Sequence, residues 1–532
     1  MLLAACCLLT WALKTEASAT RTGPGHGDIS SYVSVAHNLA HGRGFVEDVV
    51  GSWWGGAREL PTPSNLWWAP LVSIIAALGM LLGQGDYASA QAATAAFSAL
   101  TPLAVYALGR ALFPGRWRTA LLGAALSSCF HLFLGQAGVP LSVSPYVVLV
   151  PLALALALWA PARPLLMLPA GMAIAASQLS RSDGVLLALP VLLAWWLLAP
   201  AHRPRGATLR AAALLALGYL LVMSPWWARN LQVHGAIQPA ASGRAAFMRQ
   251  YDDWHKLPEE VNAQTWLADG WGPIIEQKTA MARANGRTLV TGMVAAGQAR
   301  AQAWSTPSVL LLMGLAWLGA GLSLTRRRAA ALWLHVGALW AFYSLLFTAV
   351  GHASFKQSMY GVYPLLLLCA ALGMETLACA LARLAPSARR ARVTTLLLLL
   401  MLAPLLTGQA RFGLHEGRQK GEAVQRIAAF WQAVERYVLT PLDIGDETLM
   451  LRDVHEFHAL LGRPAVLIPH ADADDVRALA RQFGVRYLLL TGADPASRRP
   501  GLAQLLASPQ AQRVFGPQPI LGQPVSVYRL ID

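Results

Sequence analysis

The chain has 532 residues, 55% of them hydrophobic and only 13% charged, against about 25% charged in an ordinary soluble domain. That composition excludes a water-soluble fold. The formal net charge of +15 would suit nucleic-acid binding, but most of the surplus Arg sits in short loops between apolar blocks; it reads as a topology signal, and no nucleic-acid partner is expected.

In chain order, apolar blocks fall near 2–13, 87–113, 118–137, 142–160, 165–180, 184–199, 208–227, 306–324, 330–350, 360–382 and 393–410. The longer ones run roughly 17 to 25 residues, enough to cross a hydrocarbon core of about 30 Å as a helix. Helix is required because lipid offers the backbone no partners. A further block, 66–83, is ambiguous.

Basic residues recur at every second turn of the chain: Arg116 and Arg118; Arg163; Arg203, Arg205 and Arg210; Arg326, Arg327 and Arg328; Arg383, Arg389, Arg390 and Arg392. The positive-inside rule makes these loops cytoplasmic. It puts 138–141, 181–183, 228–305, 351–359 and everything after 410 on the outer side. Residues 14–65 are outside if 2–13 crosses and 66–83 only dips in, and inside if the reverse holds; periodicity leaves both open. The first block begins at Met1 with about twelve apolar residues and no basic flank, so the natural first helix is expected to start upstream, and a cleaved signal peptide is not.

Cys6, Cys7, Cys129, Cys369 and Cys379 all lie in apolar stretches, which supports neither a disulfide framework nor a CxxC metal site. The bias toward Ala, Leu and Arg resembles a bacterial chain of high genomic GC content. Within 228–305, the amphipathic stretches 257–268 and 274–300 read as helices lying on the outer surface. After Gln409 the pattern changes. Apolar runs at 448–452, 465–469, 485–490 and 525–530 alternate with helical patterns at 455–462, 473–483 and 500–507, a small α/β domain.

The stretch that suggests chemistry is His26-Gly-Asp-Ile-Ser-Ser-Tyr32. Asp28 follows a Gly-rich turn and precedes a helical pattern, a natural N-cap position. Glu47 and Asp48 add acids to the same loop. His37 and His41 share a helix face without the Glu of HExxH, and His455 and His458 have the wrong spacing for one face, so both pairs read as surface His. Trp53, Trp54, Trp67 and Trp68 read as interfacial anchors, or as platforms for a sugar. No phosphate loop and no GxGxxG after a strand occurs, which leaves a nucleotide-driven pump unsupported.

The layout resembles the GT-C superfamily of membrane glycosyltransferases that use lipid-phosphate sugars, among them the aminoarabinose transferases and protein O-mannosyltransferases. The matching pieces are a D-x-x-x-Y motif at Asp28 and Tyr32; Pro61-Thr-Pro-Ser-Asn-Leu-Trp-Trp-Ala-Pro70 opening the block at 66–83; Leu179-Ser-Arg-Ser-Asp-Gly184; Pro225-Trp-Trp-Ala-Arg-Asn230; and the polar turn from His352 to Tyr363. The resemblance implies an α-helical polytopic membrane protein with about 11 spans, a membrane-dipping segment at 66–83 and a small C-terminal α/β domain. Residues 1–410 would form the transmembrane domain with outer loops 14–65 and 228–305, and 411–532 the extracytoplasmic domain.

It further implies an inner-membrane enzyme of a bacterial envelope, moving a sugar from a polyprenyl-phosphate donor to a glycolipid such as lipid A, a glycan or a protein. Asp28 would be the base, with Tyr32, Glu47, Asp48, Arg181, Asp183, Arg229, Asn230, His352 and Lys356 around donor and acceptor. Arg181, Arg229 and Lys356 are the expected phosphate donors, or else simple membrane anchors; Arg181 and Asp183 are also a candidate salt bridge. Many family members carry a second acid in the next outer loop. Here Gly135-Gln-Ala-Gly-Val-Pro-Leu-Ser-Val-Ser-Pro145 has none, so transfer without a metal or other cofactor is expected. A transporter or flippase of a lipid-linked substrate, which would need intramembrane charges such as Arg110 and Glu375, is the alternative reading, as is a non-catalytic GT-C-like subunit.

Overall fold

The computed structural model describes residues 1–136, 138–200, 204–268, 270–293, 306–347, 349–492 and 499–531. Arg203, Ala137 of the Gly135–Pro145 stretch and the last residues of the 274–300 stretch lie outside them. The chain is mostly helical. Among the described residues, six helices are long and apolar enough to cross a membrane: Tyr87–Leu112, Arg205–His234, Pro307–Leu324, Arg327–Leu346, Gly351–Ala382 and Ser387–Leu439. Four shorter apolar helices accompany them: Leu71–Leu82, Val143–Trp159, Pro164–Ser180 and Ser182–Leu198.

Several elements differ from their sequence pattern for identifiable reasons. The first helix runs Leu2–Ser18, past the apolar block, because the Lys14 ammonium reaches the Ser98 carbonyl at 3.0 Å and can be buried. The block at 118–137 is broken at Phe130, whose backbone is extended, into Trp117–Cys129 and His131–Gln136. The ambiguous block forms only Leu71–Leu82, about 18 Å at the α-helical rise and too short to span. The change after Gln409 is one of composition alone, since one helix continues from Arg390 to Val434.

Helices approach closely where glycine removes the side chain. A Cβ at Gly218 would come within 2.0 Å of the Leu168 carbonyl oxygen, and one at Gly171 within 2.1 Å of Leu215 O. Such contacts are how helices associate where no hydrophobic drive operates between them.

The loops gather at two ends. At one, Arg328 donates to Ala111 O at 2.8 Å, Arg326 lies 5.2 Å from the Phe113 ring and Arg116 stands 3.7 Å from Glu375. At the other, Arg181 reaches Ser142 and Ser358, while Arg229 reaches Phe45 and Ser64.

The C-terminal region carries a six-stranded sheet in the order β2-β5-β4-β6-β8-β7. Its strands are β4 (Leu449–Leu451), β5 (Ala465–Leu467), β6 (Tyr487–Thr491), β7 (Ala511–Ile520) and β8 (Gln523–Leu530), joined by β2 (Val49–Val50) from the first loop. The first loop's other strands, β1 (Val46–Glu47) and β3 (Thr62–Pro63), pair antiparallel. Strands β2, β5, β4 and β6 are parallel; β8 and β7 close the sheet as an antiparallel hairpin. The sequence pattern shows neither the two-residue β1 and β3 of the first loop nor two strands of the larger sheet. The β7 run AQRVFGPQPI has no apolar alternation because it is an edge strand with little buried surface, and the two-residue β2 exists only through its non-local pairing with β5. The expected helices form as Val454–Leu461, Ala473–Gln482 and Pro500–Ala507.

Candidate functional site

Asp28 lies in the first turn of the Gly27–Ala40 helix, half-buried. It is not the cap. His26 takes that role, its Nδ1 accepting the Asp28 N–H at 3.3 Å, because the helix starts two residues earlier than the pattern suggested. Among the described residues no hydrogen bond ties down the Asp28 carboxylate, which is left to act on its surroundings.

Those surroundings come from three parts of the chain. Tyr32, one turn on, is buried; its phenol is held above the ordinary range by burial and by the Asp28 charge, with Arg181 and Ser142 acting the other way. Tyr32 is therefore within electrostatic reach of both Asp28 and Arg181. Tyr251, from the polar segment after Arg205–His234, is largely exposed, and its phenol is raised by partial desolvation and by Asp28. From the C-terminal region, the Glu456 carboxyl faces the Gly27 amide, and burial with the neighbouring Asp453 pushes it up to about 7. His26 is lowered by burial, with Arg21 and Lys420 adding to the effect and Asp28 opposing it.

The other predicted residues are mostly engaged with the protein itself. Arg181 donates to Gln357 Oε1 at 2.5 Å, Ser358 Oγ at 3.1 Å, Ser142 Oγ and Ser354 O at 3.2 Å, and pairs with Asp183 at 3.3 Å. Asp183 is fully buried, with the Tyr146 hydroxyl 3.4 Å away. Arg229 donates to Phe45 O and Ser64 O, both at 3.1 Å, and lies over the Trp226 ring; Asn230 donates to Ile237 O. Arg229 thus holds the first loop against its helix, and Arg181 ties Ser142 and Asp183 to the start of the Gly351–Ala382 helix. His352 bonds Asn285 at 3.0 Å, whereas Lys356 is exposed and unpaired among the described residues.

Glu47 and Asp48 are not solvated loop acids. Glu47 is buried, accepts from Ser31 Oγ at 2.7 Å and lies 3.5 Å from His455 Nδ1. Asp48 takes two hydrogen bonds from Arg43, at 2.6 and 2.8 Å, with His458 Nε2 at 4.0 Å. His455 and His458 are consequently no surface residues: the Val454–Leu461 helix turns both toward the first loop. The tryptophans depart from the anchoring expectation as well. Trp53 and Trp54 are 4% exposed; Trp54 and Trp67 pack on Trp254, Trp53 on Phe483, and Trp68 between Tyr32 and His455. They form an aromatic joint between the first loop, the 245–262 segment and the C-terminal sheet, because protein rather than lipid covers them.

Sequence reading missed Arg21, Lys420, Tyr251 and Glu456. Arg21 sits five residues before His26 and was legible as a nearby cation; the others reach the site only through the fold. The Gly135–Pro145 segment brings Ser142 to Arg181, and among the described residues no group of three His, Cys, Asp or Glu is arranged to hold a metal ion.

The long apolar helices, the short helix Leu71–Leu82 after the first loop and the acid-bearing helix Gly27–Ala40 define a GT-C fold, a class of membrane-protein architecture. Two solved structures show it at full scale. The chain superposes on ArnT from Cupriavidus metallidurans bound to undecaprenyl phosphate with a TM-score of 0.57 at 13% identity, covering 99% of this chain and 97% of that one. It superposes on the oligosaccharyltransferase AglB from Archaeoglobus fulgidus, in complex with an inhibitory peptide and a dolichol-phosphate, with a TM-score of 0.57 at 13% identity, covering 92% and 69%. No family model matches the chain, and no curated protein matches it by sequence.

Proposed function

We propose that this chain is a membrane glycosyltransferase of GT-C type, moving a sugar from a polyprenyl-phosphate carrier to an acceptor outside the cytoplasm. The reading places it in a bacterial inner membrane with about eleven spans, a dipping segment at 66–83 and an outward C-terminal domain over 411–532. The acceptor is a glycolipid such as lipid A, a glycan or a protein. The observation that carries the proposal is the Asp28 carboxylate, half-buried and without an internal hydrogen bond among the described residues, at the outer end of a fold like that of structures holding dolichol-phosphate and undecaprenyl phosphate.

In this reading the acceptor hydroxyl attacks the anomeric carbon from the side opposite the phosphate. The new C–O bond forms as the bond to the phosphate oxygen breaks, the electron pair leaves with the phosphate, and the hydroxyl proton passes to Asp28. Tyr32 lies one turn from the carboxylate, within electrostatic reach of it and of Arg181. Since the guanidinium of Arg181 is already spent on six groups, charge on the departing phosphate has to be met by other cations.

Asp28→Asn tests the proposal. General-base assistance contributes about 10²–10⁴-fold, so transfer of sugar from polyprenyl-phosphate donor in proteoliposomes should fall by that factor while membrane insertion is unchanged. Transfer at the wild-type rate would remove Asp28 from the chemistry.

A further inference from the structure

Of the three cations expected at the leaving phosphate, Arg181 and Arg229 are committed to protein oxygens. Two others stand beside the helix start that carries Asp28. Arg21 follows the Leu2–Ser18 helix, and Lys420 lies on the Arg390–Val434 helix well beyond its apolar part. Both act electrostatically on His26, the cap two residues before Asp28, and on each other.

The polar atoms around this pair are buried and incompletely bonded. Arg21 is 6% exposed; one amino group donates to Gly135 O at 2.9 Å, but its Nε has no partner among the described residues. The hydroxyls of Thr20 and Tyr87 are also buried without a partner. Tyr87 is within electrostatic reach of Arg21, and Thr20 Oγ1 is so near Gly421 that a Cβ there would come within 1.9 Å of it. Lys420 Nζ is held at 2.6 Å by Glu416, whose second oxygen is unpartnered as well. A Cβ at Gly135 would lie 3.4 Å from both Lys420 Nζ and Glu416 Cδ, so the glycine leaves room where the groups converge.

Buried donors without acceptors are rare in folded proteins and call for an explanation. Here a guanidinium Nε and two hydroxyls surround two cations and a single carboxylate, which leaves one positive charge in excess. A phosphate oxygen cluster answers both needs, since it accepts from Arg in a forked geometry, from hydroxyls and from an ammonium at once.

We propose that Arg21, Lys420, Thr20 and Tyr87 form a binding site for a phosphate anion presented at the outer membrane surface, with Glu416 holding Lys420 in place until the anion arrives. Its role as the cradle of the departing polyprenyl phosphate rests on the reading of Asp28 as the transfer site; the binding itself does not.

The test measures binding without turnover. Protein in phosphatidylcholine nanodiscs is titrated with a short-chain polyprenyl phosphate and, separately, with inorganic phosphate. Arg21→Gln and Lys420→Gln should each weaken polyprenyl-phosphate binding at least tenfold, while the charge-keeping Arg21→Lys and Lys420→Arg retain most of it and report that the fold is intact. A parallel loss for inorganic phosphate supports the site as one for the phosphate group alone; binding of the lipid only supports a lipid headgroup site. Wild-type affinity in both Gln variants would overturn the proposal. Asp28→Asn, run alongside, should bind normally whether or not it transfers, so a failure of the base assignment stays distinct from a failure of the anion site.

Discussion

His455 Nδ1 of the C-terminal region lies 3.5 Å from the buried Glu47 Oε1 of the first loop. That contact, with β2 paired to β5 and Glu456 turned to the Gly27 amide, makes the C-terminal sheet a structural neighbour of Asp28. Perturbing it should be felt at the site.

The first consequence is a pH dependence. The Glu456 carboxyl titrates at about 7 in the folded protein against 4.5 when free, so its folded-state pKa is raised and folding favours the protonated form. Stability from this group is therefore greatest below the free value and declines as pH rises toward about 7. Thermal unfolding in detergent at pH 5 and pH 8 should show a lower midpoint at pH 8 for the wild type. Glu456→Gln, which cannot ionise, should narrow that difference; an unaltered difference would remove Glu456 as its source.

The ion pair of Arg181 and Asp183 is almost wholly buried. Removing one partner of such a pair leaves an uncompensated charge at a cost of about 3–5 kcal/mol. Arg181→Gln and Asp183→Asn should each lower the unfolding midpoint strongly, and the double variant should recover part of the loss. Full additivity of the two effects would show that the residues act separately.

Arg229 bridges two carbonyls, Phe45 O and Ser64 O, through one amino group, while its other amino group contacts Asn230 Oδ1 and His234 Nε2. A lysine, with a single ammonium, cannot hold both sets. Arg229→Lys should leave a carbonyl unsatisfied at about 1–3 kcal/mol, and limited proteolysis should cut the first loop faster than in the wild type.

The close crossing of helices at Gly171 and Gly218 leaves no space for a side chain, with carbonyl oxygens 2.1 and 2.0 Å from where each Cβ would sit. Gly218→Val should destabilise by about 1–3 kcal/mol or more through overpacking, read as a lower melting temperature and reduced yield of monodisperse protein. Gly206, which has open space around it, is the control: Gly206→Ala should leave both unchanged.

Much of the architecture was legible from residues alone. Apolar blocks specify helices wherever the surrounding medium is lipid, because composition, unlike packing, is a local property of the chain. Alternation in the C-terminal runs gave β4, β5, β6 and β8 for the same reason. The first helix was cut short because Lys14 looks like an end signal until Ser98 is seen to receive it, and β2 could not be found because two residues have no pattern of their own.

For the site, sequence put Asp28 at the start of the Gly27–Ala40 helix, where it lies in the first turn rather than at the cap, and Tyr32 one turn beyond it. Tertiary structure decided the rest. Whether a guanidinium is available to a ligand or consumed by carbonyls, as at Arg181 and Arg229, and whether Arg21 and Lys420, about four hundred positions apart in a chain of 532 residues, meet near His26, depends on which helices pack together. Those are questions of distance and of burial, and spacing along the chain encodes neither for groups brought together from separate helices.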